Sequence, residues 1–335
     1  MKKFALLFAL LAAAGIAQAE VSVFGTMDAG YGSFKAPGGT AQSTVVSGGM
    51  TTSNIGFAGK EDLGNGNTAV FELSSFVNLA DGAVQGGSTV NTFTRSAFAG
   101  VSNKQYGTVT LGRQSNPSFL PTILFNAYGD SSVYGPLWRA TYFGNSGNPT
   151  PQVYNDTAWD SSAAYTSPNI GGATVSLVTA KGTGGNNNGA NVLYFKGDLG
   201  LTGYWQRTEV NSTGAFIPNI FTANKPATAW GLGGSYDVKV AKLFATFQEG
   251  KSSSANIDGK TFQVSALVPM GPGNIMAEYA HSKVTGVSDK TFNDWAVGYD
   301  YALGKRSDLY VSAGQTGVTG LTSGRTIGAG MRLKF

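Results

Sequence analysis

The chain has 335 residues, with 23 Lys and Arg against 19 Asp and Glu, a net charge of +4, one His and no Cys. Zinc–thiolate sites, Cys nucleophiles and His-based metal clusters are therefore excluded, and a charge excess this small without a basic run does not describe a nucleic-acid-binding protein. Its 48 Gly are about twice the usual share, yet 20 Phe, 14 Tyr and 5 Trp argue against disorder.

The first nineteen residues have the order of a secretory signal peptide. Lysines follow the initial Met, a short apolar run comes next, and Ala17-Gln18-Ala19 forms a small-x-small cleavage pattern before Glu20. A membrane anchor would need about 20 apolar residues without such a pattern. We therefore predict a cleaved signal peptide at 1–19 and one exported domain at 20–335.

Beyond Glu20, apolar and polar residues alternate with a period of two, and no stretch carries a helical apolar stripe of ten or more residues. The alternation predicts an all-β protein. The clearest candidate strands are 68–76, 106–113, 172–180, 191–199, 242–250, 261–269, 274–282, 294–302, 308–314 and 325–335.

Short and long connections alternate between these segments, which is typical of antiparallel strands that run up and down a single sheet. The candidate strands number about sixteen at roughly twenty residues per strand and connection. Inward sets such as Thr261, Gln263 and Ser265 are too polar for a dry core. We therefore predict a transmembrane barrel, apolar towards lipid and polar towards a wet lumen, rather than a soluble sandwich. We expect an interfacial aromatic girdle to include Tyr279, Tyr299, Tyr301 and Tyr310.

The chain resembles the general diffusion porins of the Gram-negative outer membrane along its whole exported part. The segments that carry this resemblance are "VSVFGTMDAGYGSF" (21–34), "IGFAGKEDLGNGNTAVFELSSF" (55–76), "TRSAFAGVSNKQYGTVTLGRQ" (94–114), "AYTSPNIGGATVSLV" (164–178) and the last residue, Phe335. The resemblance implies a 16-stranded antiparallel transmembrane β-barrel, a homotrimer in the outer membrane, and contact with its lipid and lipopolysaccharide.

The same resemblance implies a long loop after the fifth strand that folds into the lumen and narrows it. Residues 114–157 form the longest connection and are rich in Phe, Leu, Tyr and Trp, so we predict that they are this constriction loop. Phe335 is similar to the residue that the family presents to the barrel assembly machinery. The alternative is that Phe335 is only an aromatic residue at the membrane interface.

Charged residues at the narrowest point would sort ions and small hydrophilic solutes. Arg95 in "TRSAF" is similar to a wall arginine of the family, and Arg113 in "GRQ" to an arginine at the root of the loop. Glu72 in "VFEL" is similar to a lumenal acid. Asp130 is the best carboxylate candidate on the loop, although Asp in a Gly-Asp-Ser turn also caps backbone.

Two further bases are candidates for the constriction. Lys60 faces the lumen if its strand neighbours Ile55 and Phe57 face lipid, and Arg139 in "PLWRAT" would supply another charge. Asn54 and Ala158 stand where family members commonly carry arginines. Because these two positive charges are missing, we predict a weak ion preference of either sign.

The sequence therefore predicts a passive outer-membrane channel without catalytic residues, metal or cofactor. Any Ser-His-Asp triad would have to use His281, the only histidine. His281 lies two residues after Tyr279 and shares its face of the predicted strand, near an outer rim. Two other functions stay open. One is a solute-specific pore with a saturable binding site, and the other is a surface adhesion or immune-contact barrel with an occluded lumen.

Overall fold

A computed structural model describes residues 20–85, 92–143, 157–182, 185–209, 226–252, 256–286 and 289–335. The signal peptide predicted at 1–19 and part of the predicted loop, 144–156, lie outside these ranges. The strands are β1 (Glu20–Lys35), β2 (Ala41–Ser47), β3 (Asn54–Gly64), β4 (Asn67–Val77), β5 (Val84–Gln85), β6 (Ser96–Asn103), β7 (Gly107–Ser115), β8 (Ala158–Thr166), β9 (Ala173–Gly182), β10 (Gly185–Lys196), β11 (Leu199–Thr208), β12 (Ala227–Asp237), β13 (Lys242–Ser252), β14 (Ile257–Met270), β15 (Gly273–Gly286), β16 (Lys290–Ala302), β17 (Ser307–Val318) and β18 (Gly324–Lys334).

The strands form one closed antiparallel sheet in which β18 pairs with β1. Both β2 and β3 pair with β1, and both β5 and β6 pair with β4, so each of these couples occupies one strand position of the barrel. The closed barrel therefore has the predicted 16 strands. Closure leaves no unpaired strand edge, which is a requirement for a sheet surrounded by lipid.

The two faces of the sheet are inverted relative to a water-soluble protein. On β14, Phe262 and Val264 are 46% and 40% exposed on the outside, whereas Gln263 between them is 0% exposed. Glu278 and Asp294 on the neighbouring strands are likewise buried towards the inside. The predicted apolar outer surface and polar interior are confirmed.

Two expectations about individual segments are wrong. Tyr310 was assigned to the interfacial girdle, but it faces the lumen, is almost fully buried and donates a hydrogen bond to Asp28. The candidate strand 191–199 contains a hairpin turn at Gly197–Asp198, between β10 and β11. Alternation alone does not reveal such a turn, because apolar residues continue on both sides of it.

The two ends of the barrel differ in their connections. Short turns such as 65–66, 104–106 and 271–272 lie at the end that contains Glu20 and Phe335, which we call the turn end. The longer connections lie at the opposite, loop end. The alternation of connection lengths predicted this arrangement, although several strands continue further into the expected loops than the sequence suggested.

The described part of the connection between β7 and β8, residues 116–143 and 157, folds into the lumen as predicted. It contains helix α1 (Phe119–Leu124), helix α2 (Pro136–Trp138) and a π-helical turn at Arg139–Phe143. The backbone N–H of Ala127 donates to Ser265 Oγ at 3.0 Å, and that of Leu137 donates to Glu278 Oε1 at 2.7 Å. These wall residues thus hold the loop against the inner face of β14 and β15. No helix in the described part of the chain is long and apolar enough to cross a membrane.

The seam between β1 and β18 ends in a close contact between Gly25 and Phe335. Each of the two residues donates its backbone N–H to the carbonyl of the other at 3.1 Å. A Cβ added at Gly25 would lie 2.7 Å from Cζ of the Phe335 ring and 2.6 Å from the Asn54 carbonyl oxygen. Glycine is therefore needed where the ring crosses the seam.

We predict that Gly25→Val destabilises the closed barrel by about 1–3 kcal/mol, because the added side chain displaces the Phe335 ring and the neighbouring backbone. Urea unfolding in lipid vesicles, followed by tryptophan fluorescence, measures the change. Ala29→Val is the matched control, since Ala29 lies on the same outer face of β1 and is exposed. Equal effects of the two substitutions would contradict the role of the contact.

Candidate functional site

The predicted basic and acidic residues Arg95 and Glu72 meet on the inner wall. Arg95 precedes β6, and its Nη1 donates to Glu72 Oε1 at 2.9 Å and to Ser74 Oγ at 3.3 Å. The side chains of Arg95 and Glu72 are 31% and 24% exposed, so both remain accessible from the lumen. The pair places opposite charges side by side in the wall.

Asp130 lies at the tip of the in-folded loop, close enough to Arg95 and Arg332 for their charges to act on its carboxylate. Burial raises the pKa of the Asp130 carboxyl above its usual range, whereas the two arginines and the Thr52 N–H oppose this shift. The loop therefore brings a carboxyl group within electrostatic range of Arg95 and Arg332.

Arg113 lies at the root of the loop, where the register between β7 and β8 is irregular. Its Nε donates to the Thr94 carbonyl at 2.8 Å and its Nη1 to Asp160 Oδ1 at 2.7 Å. The arginine side chain is only 7% exposed, whereas that of Asp160 is 26% exposed. Arg113 thus ties the strand that follows Thr94 to β8 and presents little charge to the lumen.

The structure places the other two predicted bases away from this group. Arg139 is buried between the loop and the wall, where it donates to the Val133 carbonyl and lies 3.8 Å from Asp294. Lys60 faces inward but is exposed at the turn end, 2.8 Å from Glu20. It lies six residues from Asn54 along β3, which corresponds to about 20 Å.

Arg332, which is not among the residues predicted for the site, lies in the same part of the lumen. Its guanidinium donates to Asp308, to Asp300 Oδ2 at 3.0 Å and to Thr51 Oγ1 at 2.8 Å. The alternation of the last strand had already placed Arg332 on the polar face. Its carboxylate partners come from β16 and β17, and only the paired sheet shows that they are neighbours.

The two positions that lack the arginines of the family hold small neutral groups. Asn54 is buried and donates to the Thr52 carbonyl at 2.9 Å. Ala158 is also buried and pairs with Ser115 at the start of β8. Each of the arginines Arg95, Arg113 and Arg332, by contrast, lies beside at least one carboxylate.

The only histidine of the chain lies outside the lumen. His281 is exposed on the outer face, and its Nδ1 lies 2.9 Å from Asn293 Oδ1. Among the described residues, no group of three His, Cys, Asp or Glu side chains could hold a metal ion. What the site can do is present paired charges to solutes that pass between the loop and the wall.

Comparisons with known proteins agree with this architecture. Residues 5–321 match the family described as Gram-negative porin. An outer membrane porin protein of Bordetella pertussis is 26% identical over 92% of this chain and 93% of its own length. Outer membrane porin protein 32 of Delftia acidovorans is 27% identical over 92% of this chain and 88% of its own length.

Solved structures include an anion-selective porin from Comamonas acidovorans, which superimposes with a TM-score of 0.77 at 23% identity. It covers 95% of this chain and 100% of its own. At that identity the likeness concerns the fold. The family match, the inverted barrel and the in-folded loop together lead to one conclusion: the chain belongs to the Gram-negative porins and is a diffusion channel of the bacterial outer membrane.

Proposed function

We propose that this porin passes ions and small hydrophilic solutes with only a weak ion preference. The pairing of every inward arginine named above with a carboxylate is the observation that carries this proposal. Opposite charges a few ångströms apart produce a field that is strong locally and nearly cancels along the pore axis. Such a field orients polar solutes but gives neither cations nor anions a large advantage.

We assign the selectivity to Arg95, Glu72 and Asp130, and we assign to Arg113 the support of the loop root through its bonds to Thr94 and Asp160. Lys60 would act at the mouth of the turn end, since it is exposed there beside Glu20. Arg139 would keep the loop in place, because its charge is directed towards Asp294 behind the loop. In this assignment no residue acts as a catalyst, and the channel requires no cofactor.

The partners that we propose follow from the outer surface. A homotrimer needs a wall on which subunits approach closely, and small residues face outward near the seam: Gly25, Ala29, Gly59, Ala97, Ala99 and Ala329. Large aromatic residues face outward on the far side of the barrel: Trp205, its strand partner Trp230, Phe247, Phe262, Tyr279 and Trp295. We therefore propose that the seam side contacts other subunits and the aromatic side contacts lipid.

The loop end also fits a lipopolysaccharide-rich leaflet. The outward-facing bases at this end are Lys35, Lys181, Arg207, Lys251, Lys260, Lys283 and Arg325, and the acids beside them are fewer: Glu209, Glu249 and Asp258. Lys260 pairs directly with Lys283, and Lys35 with Arg325. Like charges directly opposite each other are unfavourable. Glu249 lies 3.6 Å from Lys260 and offsets part of this repulsion, and lipopolysaccharide phosphates would supply further anions.

The two ends of the chain fit export and assembly. β1 begins at Glu20, directly after the proposed signal peptide at 1–19. Phe335 is exposed on the outer face and joins the seam through its backbone. We propose that the barrel assembly machinery recognises this residue before the seam closes.

Single-channel recording in planar bilayers tests the proposed function. In a tenfold KCl gradient we expect a reversal potential well below the limit of about 59 mV that passage of a single ion species would give. Near-exclusive passage of either ion would contradict weak selectivity. Saturable block by one solute class would favour the solute-specific pore, and absence of conductance would favour the adhesion barrel.

We predict that Arg95→Gln shifts the permeability ratio towards cations by about threefold. A unit charge about 6 Å from a passing ion contributes about 0.7 kcal/mol even in water, and the substitution leaves Glu72 without its partner. Reversal potentials measure the shift. Lys60→Gln is the control, since it removes a lumen-facing charge at the turn end and should change the ratio less.

We also predict that lowering the pH moves the reversal potential towards anion passage. Burial raises the pKa of Asp130, so its carboxylate is protonated at a higher pH than that of an ordinary Asp. As the pH falls, the constriction therefore loses a negative charge. Asp130→Asn should show the anion-shifted potential already at neutral pH and a smaller change on acidification. An unaltered pH profile in this variant would contradict the assignment.

A further inference from the structure

A second segment enters the lumen opposite the in-folded loop. Along β1, Ala29 pairs with Ser47 and Thr26 pairs with Asn54. The six residues Gly48–Ser53 therefore stand opposite only Met27 and Asp28. A regular strand would need two residues there, so the excess chain leaves the sheet as a large bulge. We call residues 48–53 the jaw.

Asp28 holds the jaw by its carboxylate. Oδ2 accepts hydrogen bonds from the backbone N–H groups of Met50 at 2.7 Å and Thr51 at 2.8 Å, and Oδ1 accepts one from Gly49 at 3.1 Å. The Tyr310 hydroxyl donates to Oδ1 at 2.6 Å. Asp28 is 0% exposed, so these bonds use its acceptor capacity away from water.

The jaw meets the tip of the loop. Ser131 Oγ donates to the Gly49 carbonyl at 2.6 Å, and Ser132 Oγ donates to the Gly48 carbonyl at 3.3 Å. A Cβ at Gly49 would lie 2.1 Å from the Tyr310 hydroxyl, so the backbone there must approach the ring closely. Loop tip, jaw and wall are thus one packed unit.

The jaw also determines where two charged groups lie. The Thr52 N–H favours the ionised form of Asp130, and Thr51 Oγ1 accepts a hydrogen bond from Arg332 at 2.8 Å. A shift of the jaw would therefore change the separation between a loop carboxylate and a wall guanidinium. These are charges that a passing ion meets if the loop narrows the lumen.

We propose that residues 48–53 form a second constricting element and that Asp28 is the positioning residue that holds it across the lumen. This inference rests on the proposed function, because it assumes that the loop tip bounds the passage. The pairing of β1 with β2 and β3 would be complete without the four excess residues. Besides its bonds to Asp28 in the wall, the jaw contacts the loop tip and Arg332, which points to a role in shaping the passage.

The sharpest test replaces Gly48–Ser53 by Thr-Val. Two residues restore a continuous strand, with Thr facing the lumen opposite Asp28 and Val facing outward opposite Met27. We expect the single-channel conductance to rise about twofold, since a constriction limits ion flow by its width. Barrel closure is checked for every variant by its gel mobility before and after boiling.

Asp28→Asn tests the positioning role without deleting the jaw. Asparagine keeps the shape but replaces one acceptor oxygen with a donor, so some backbone N–H groups of the jaw lose their partner. We expect an altered conductance per channel, more frequent subconductance steps and a shifted reversal potential.

Tyr310→Phe keeps the carboxylate and should give a smaller change in the same direction. Asp62→Asn, which removes a lumen-facing carboxylate at the turn end of β3, should leave all three readouts unchanged.

The outcomes separate this inference from the proposed function. If Asp28→Asn only lowers the yield of folded barrels and leaves the conductance and reversal potential of each channel unchanged, Asp28 is structural and the inference is wrong. The same holds if the Thr-Val replacement folds and conducts like the unaltered protein. Absence of conductance in the unaltered protein would instead overturn the proposed function.

Discussion

The requirement that every backbone N–H and C=O be hydrogen-bonded within the protein governs this structure, because lipid offers these groups no partner. An antiparallel sheet meets the requirement only when it closes, as it does here between β1 and β18. Closure turns the alternating side chains into two continuous surfaces, and the outer one must be apolar. Polar residues are thereby confined to the lumen, where they form the wall of a channel.

Confining charged groups to a narrow lumen determines how they are arranged. An isolated buried charge is costly, so arginines and carboxylates of this lumen occur in contact: Arg95 with Glu72, Arg113 with Asp160, and Arg332 with Asp300 and Asp308. In the function that we propose, this pairing also weakens the net field along the pore, and the ion preference depends on how far loop and wall separate the opposite charges.

The fold class could be predicted from the sequence because it depends on local pattern, and the alternation of apolar and polar residues is visible in single segments. Arg95 was instead assigned to the lumen by the resemblance of its "TRSAF" motif to the porins. Tyr310 shows where local pattern fails. Its position near a strand end suggested the membrane interface. Its side chain points into the lumen instead, where the hydroxyl donates a hydrogen bond to Asp28.

The sequence by itself determined the approximate number of strands and the inversion of the barrel, because these properties reside in composition, period and length. The loop that enters the lumen, and Asn54 and Ala158 in place of arginines that family members commonly carry, were implied by the resemblance to the porins. Only the tertiary structure decided that Arg139 is directed towards Asp294, that Arg332 reaches Thr51 and that the Asp28 carboxylate binds the backbone N–H groups of residues 49–51. Those contacts join residues far apart in the chain, and their neighbours follow from strand register and closure, which no local pattern encodes.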